Sequence, residues 1–104
     1  MTKSRSHETA KVESFRNDPD YAADYLNAVL EDGDQEELLE TLRYMAGAFG
    51  GVSGLAAETA LNATTLYRTL SRKGNPELKS LTAILRAMGM RLAVQPLHAP
   101  ADLA

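Results

Sequence analysis

The chain has 104 residues, 44% of them hydrophobic and 24% charged, which suits one globular domain and excludes a wholly disordered polymer. It contains no cysteine, so a disulfide framework, thiolate metal sites and a cysteine nucleophile are excluded. The net charge of −3 hides a division: residues 1–42 carry four basic groups against eleven acidic ones, whereas residues 43–104 carry seven basic groups against Glu58, Glu77 and Asp102.

Residues 1–17 are polar, without a sustained apolar period, and read as a flexible arm. Asp18 and Pro19 then supply an N-cap and a proline at the first helical position. Ala22, Tyr25, Leu26, Val29 and Leu30 recur at helical spacing until Gly33 stops the helix. Asp34 caps the next helix, with Glu37 three residues later as in a capping box. Its apolar stripe is Leu38, Leu39, Leu42, Met45, Ala46 and Phe49, and Gly50-Gly51 ends it. Two short helices are predicted next, one from about Gly54 to Thr59 capped by Ser53, the other from about Ala63 to Leu70 capped by Asn62. Gly74 and Asn75 break the chain. With Asn75 as cap, Pro76 opens a fifth helix bearing Leu78, Leu81, Leu85 and Met88.

After Gly89 the period changes. Met90, Leu92 and Val94 alternate with Arg91, Ala93 and Gln95, which predicts a half-buried strand over 90–95 closed by Pro96. Residues 97–104 read as a loose tail. The expected architecture is therefore all-α: one domain over 18–96 with five helices and a single short C-terminal strand. A lone strand is unstable, so pairing with a symmetry mate or a partner protein is expected. No apolar run approaches the ~20 residues of a membrane span and no signal-peptide pattern opens the chain, so a soluble cytoplasmic protein is expected.

Residues 53–70 carry the most information, because two short helices joined by a very tight turn form a helix-turn-helix arrangement. Laid out at 100° per residue, the second helix groups Ala63, Leu66, Tyr67 and Leu70 on one side, with Tyr67 at the border and expected to pack with its hydroxyl exposed. Thr64, Thr65, Arg68 and Arg72 fall on the other side, which has no carboxylate. Short hydroxyl side chains followed by guanidinium groups suit a helix entering a DNA major groove. Lys73 and Lys79 are candidate phosphate contacts, and Ser53, Asn62 and Asn75 cap three helix N-termini able to hold phosphates. The candidate DNA-binding set is thus Ser53, Asn62, Thr64, Thr65, Tyr67, Arg68, Arg72, Lys73 and Lys79. The plainer reading of these residues is a solvated polar face. One recognition helix reads too few bases, so a two-fold dimer on a palindrome is expected, with half-sites ~34 Å apart.

Enzymatic readings find little support. His7 lies in the arm and His98 in the tail, so neither has a rigid setting for proton transfer or metal binding. Gly51-Val52-Ser53-Gly54 lacks the final spacing of a nucleophile elbow and follows no strand. The carboxylates over 31–40 read as a solvated face. No catalytic residue, metal, cofactor or small-molecule substrate is expected.

Leu55-Ala56-Ala57-Glu58-Thr59-Ala60-Leu61-Asn62-Ala63-Thr64-Thr65-Leu66-Tyr67-Arg68-Thr69-Leu70-Ser71, followed by Gly74-Asn75-Pro76, resembles the lambda-repressor-like (Cro/CI, XRE) helix-turn-helix class. More narrowly, the chain is similar to the addiction-module antidote family, the HigA-type antitoxins. Tyr25-Leu26-Asn27-Ala28-Val29-Leu30-Glu31-Asp32-Gly33-Asp34 and Met88-Gly89-Met90-Arg91-Leu92 resemble further parts of that subgroup, and the match covers roughly residues 19–95. The chain departs from the pattern at Ala60, where the class has a turn glycine, and at Ala63 and Thr64, where the subgroup has Arg and Glu. The resemblance implies a dimeric repressor of its own promoter that neutralises a RelE/HigB-like toxin. Tyr21 and Tyr25 then fit either a toxin-binding surface or structural aromatics. A stand-alone or prophage-type regulator without a toxin is the alternative, as is an interaction module that has lost DNA binding.

Overall fold

The computed structural model describes residues 2–59, 62–71 and 74–97, with side chains from His7 onward. Among these residues there are six helices: α1 Thr2–Asn17, α2 Pro19–Asp32, α3 Gln35–Ala48, α4 Gly51–Glu58, α5 Ala63–Thr69 and α6 Leu78–Ala87. Helices begin where short polar side chains satisfy free amides. Asp18 accepts from the Tyr21 N–H at 3.1 Å ahead of α2, and Asp34 accepts from the Glu37 N–H at 2.8 Å ahead of α3. Asn62 accepts from the Thr65 N–H at 2.7 Å ahead of α5.

The core is drawn from every helix. Leu42, Met45 and Ala46 of α3 lie at its centre, with Ala22 and Leu26 of α2, Leu55 of α4, Leu66 of α5 and Ile84 and Leu85 of α6 around them. Buried Thr41 donates its hydroxyl to the Glu37 carbonyl at 2.8 Å, so its one polar atom is satisfied within the helix.

Residues 1–17, expected as a loose arm, instead form α1 over the described stretch, and Phe15 is fully buried. Only Val12 and Phe15 supply an apolar face, too little to announce an amphipathic period. Tertiary contacts make up the difference. The Phe15 ring lies 5.3 Å from Tyr25 and 5.7 Å from Tyr21, the geometry of a tilted and edge-to-face cluster. Lys11 lays its ammonium 4.4 Å from the Tyr25 ring centre and donates to the Tyr21 hydroxyl. Arg16 donates to the Gly47 and Ala48 carbonyls, both at 3.3 Å, and so covers the C-terminal end of α3. Tyr21 and Tyr25 are therefore part of the packing of α1 on α2.

The expected strand over 90–95 is absent from the described residues. Gly89, at φ +79°, closes α6 with a pair of bonds, its own N–H to Arg86 and the Met90 N–H to Leu85. Met90 and Leu92 still pack against the core, but Val94 and Leu97 are 98% and 99% exposed. A strand needs a neighbour for its backbone, and the described residues offer none there. The alternation is legible; the ladder is not formed.

Candidate nucleic-acid interface

The segment 51–71 begins with a glycine turn rather than a polar cap. Gly50 adopts φ +118° and Gly51 φ +75°, and α4 starts at Gly51 without any side-chain cap. Ser53, expected to cap this helix, is an exposed residue inside it. Leu55 is buried and Ala56 half-buried, which brings α4 down onto α5. Residues 60 and 61 of the connection, and hence Ala60, lie outside the described residues.

Leu66 and Leu70 anchor α5 in the core, at 0% and 2% exposure. That pinning turns Thr64 and Arg68 outward, with Thr65 half-buried beside them. Tyr67, expected to pack along the apolar border, is instead 63% exposed. Its place one residue (100°) on from buried Leu66 carries it past the buried stripe, so the ring belongs to the outward surface. Asn62, exposed, is engaged in capping. Arg72 and Lys73 lie outside the described residues, and Lys79 is exposed on α6. The described part of this surface is thus Asn62, Thr64, Thr65, Tyr67 and Arg68 on one short helix, with Lys79 on the next.

Three tethers that the periodicity does not reveal hold the far end of α5. Arg43 of α3 donates through its Nη1 to the Leu70 carbonyl. Gln35, also on α3, donates to the Gly74 carbonyl at 3.2 Å and to the Asn75 side chain at 3.5 Å. Ser71 donates its hydroxyl to the Arg68 carbonyl at 2.8 Å. Asn75, expected as a helix cap, is used in this tie, and α6 begins instead after Glu77 without a side-chain cap. Leu78, at the start of α6, is consequently 70% exposed rather than part of the core stripe. No sequence period points to Arg43 or Gln35; only a polar side chain opposite a helix C-terminus explains them. Replacing Arg43 with Ala is expected to cost about 1–2 kcal/mol by leaving the Leu70 carbonyl without its charged donor. Amide exchange over 63–70 should quicken accordingly, and unchanged exchange there would show the tether to be idle.

The charge pattern along the fold is divided. From Asp18 to Leu42 there are nine carboxylates and no Lys or Arg. Helix α5 has no carboxylate and carries Arg68 in its last turn. Among the described residues no group of three or more metal-ligating side chains comes together. No helix of the described residues is long and apolar enough to cross a membrane.

A small helical protein with a carboxylate-free short helix facing solvent is the class these observations define. The family model of probable addiction module antidote proteins matches residues 8–96, and the chain belongs to that family. It is also similar to an uncharacterised protein of Haemophilus influenzae, 30% identical over 71 residues that span 68% of this chain and 72% of the other. No solved structure is a match for this chain.

Proposed function

We propose that this protein is the antitoxin of a toxin–antitoxin module and a sequence-specific repressor of its own operon. In this reading α4 and α5 form a helix-turn-helix of the lambda-repressor-like kind, and the toxin is a RelE/HigB-like protein of basic character. The observation that carries the DNA-binding part is the orientation of α5, with Leu66 and Leu70 buried while Thr64, Tyr67 and Arg68 face outward on a helix without a carboxylate. Thr64 and Thr65 read base edges, Arg68 and Arg72 reach guanine or phosphate, and Lys73 and Lys79 hold the flanking phosphates. Tyr67 joins them as a phosphate or sugar contact through its hydroxyl. Ser53 keeps a candidate role at the backbone because it is exposed on α4.

The protein acts as a cytoplasmic homodimer on a palindrome whose half-sites lie ~34 Å apart. Residues 90–95, half-anchored by Met90 and Leu92, gain in such a dimer a pairing partner that the described residues do not supply. The test is binding to a fragment of its own promoter. Arg68→Ala is expected to weaken operator binding by about 10- to 100-fold and to leave the thermal midpoint unchanged, with a smaller salt dependence. Wild-type affinity in that variant would overturn the assignment of α5.

A further inference from the structure

We infer that the groove at the C-terminal end of α2 receives a lysine or arginine side chain of a basic protein partner, which in the functional reading above is the toxin. The groove has a volume of about 250 Å³ and is lined by Tyr25, Ala28, Val29, Asp32, Gly33 and Glu37. Its floor is apolar and its far end carries two carboxylates. Asp32 is the last residue of α2, where the helix dipole is negative and a carboxylate is disfavoured. Glu37 adds a second negative group there. A Cβ on Gly33 would stand 2.8 Å from the Glu37 Oε1 and 2.8 Å from the Val29 carbonyl oxygen, so only glycine lets that carboxylate lie over the helix end. Among the described residues no hydrogen bond or ion pair engages either carboxylate.

Elsewhere the molecule treats such ends differently. Arg16 covers the end of α3 and Arg43 covers the end of α5. Both are the expected solution, a cation over free carbonyls. Among the described residues the end of α2 has no such cation, and Asp32 and Glu37 place like charge there. The chemistry that relieves it is a long cationic side chain. Its alkyl stem lies along Ala28 and Val29, and its head meets Asp32 and Glu37. The chain already shows the same kind of contact next door, where Lys11 stacks on Tyr25. An inorganic cation is the weaker occupant, because two carboxylates fall short of the six or more oxygens that magnesium or calcium takes. A second concavity shares Glu37 and is lined by Asp34, Glu36, Glu40 and Arg43, the last of which is held by the Leu70 carbonyl.

The experiment titrates the full-length protein with the purified co-encoded toxin, for the wild type and for Asp32→Asn combined with Glu37→Gln. The Glu37 contacts that build α3 come from its backbone, so the pair of substitutions leaves the helix bonds in place. Toxin affinity is expected to fall about tenfold or more and to lose much of its salt dependence. Thermal stability is expected to change little, because removing the Asp32 charge relieves the negative end of α2 while removing the Glu37 charge takes a favourable carboxylate from the first turn of α3, and operator affinity is expected to stay at the wild-type value. Unchanged toxin affinity overturns the groove and leaves the proposed function standing. No binding of toxin by the wild type overturns the groove together with the toxin part of that function. Altered self-association at unchanged toxin affinity assigns the groove to a second copy of this chain, and likewise overturns the inference.

Discussion

Phe15→Ala is expected to lower the stability of the fold by about 3–5 kcal/mol, a large part of the 5–15 kcal/mol typical of a domain. The ring is fully buried and packs against both Tyr21 and Tyr25, so truncation removes the aromatic contacts between α1 and α2. For a chain of this length the thermal midpoint should drop by more than about 10 °C. Were residues 1–17 a loose arm, the same substitution would change stability by less than about 0.5 kcal/mol. A thermal melt therefore decides whether the N-terminal segment is part of the domain. Lys11→Ala, which removes a partly solvated cation from the same cluster, should cost only about 0.5–1 kcal/mol.

Gly74→Ala is the second substitution with a large expected effect. An added Cβ would collide with the Thr69 carbonyl oxygen and come within 2.9 Å of the Arg68 carbonyl oxygen. These are backbone atoms at the end of α5 and cannot swing aside, so the loop or the helix must move. The cost is expected near the upper end of the ~1–3 kcal/mol of overpacked sites. It should fall on the helix proposed to read DNA, weakening operator binding as well as lowering the midpoint. Asn75→Ala, one position on, serves as the comparison. Its side chain is exposed and makes a single 3.5 Å bond to Gln35, so its effect should be small. Wild-type stability and operator affinity in Gly74→Ala would mean that the exit from α5 is not constrained as described.

Local signals in the sequence are reliable where one residue does one local task. Asp18, Asp34 and Asn62 each accept the amide three residues on, and each marks a helix start within a residue. The stripe through Leu42, Met45 and Ala46 is core for the same reason, since helical spacing alone places those side chains together. Signals fail where the cause lies far along the chain. Helix α1 has two apolar anchors, and its aromatic and arginine contacts come from residues up to 32 positions away. No period records that. Ser53 and Asn75 are good capping residues by type, yet a left-handed glycine turn starts α4 and a tie to Gln35 occupies Asn75. Tyr67 shows the limit of an angular estimate, because a residue at the edge of a stripe can go either way and only the packing of α5 decides.

Thr64 and Arg68 were legible as outward residues of α5, since Leu66 and Leu70, four apart, pin the other side of the helix, whereas Thr65 is half-buried and Tyr67 turns outward. The supports behind them, Arg43, Gln35 and Gly74, were not. Each acts on α5 through a backbone carbonyl or close approach, and neither residue type nor spacing in the sequence encodes that.

The cluster of Phe15, Tyr21 and Tyr25 has an optical consequence. The chain contains four tyrosines and no tryptophan, so its ultraviolet emission belongs to tyrosine alone. Two of the four emitters stand 6.1 Å apart against α1, and another, Tyr67, faces outward on α5. Undocking of the first helix and occupation of the outward face of α5 should therefore be separable as two changes in one unlabelled spectrum, the first sensitive to Phe15 and the second to Tyr67.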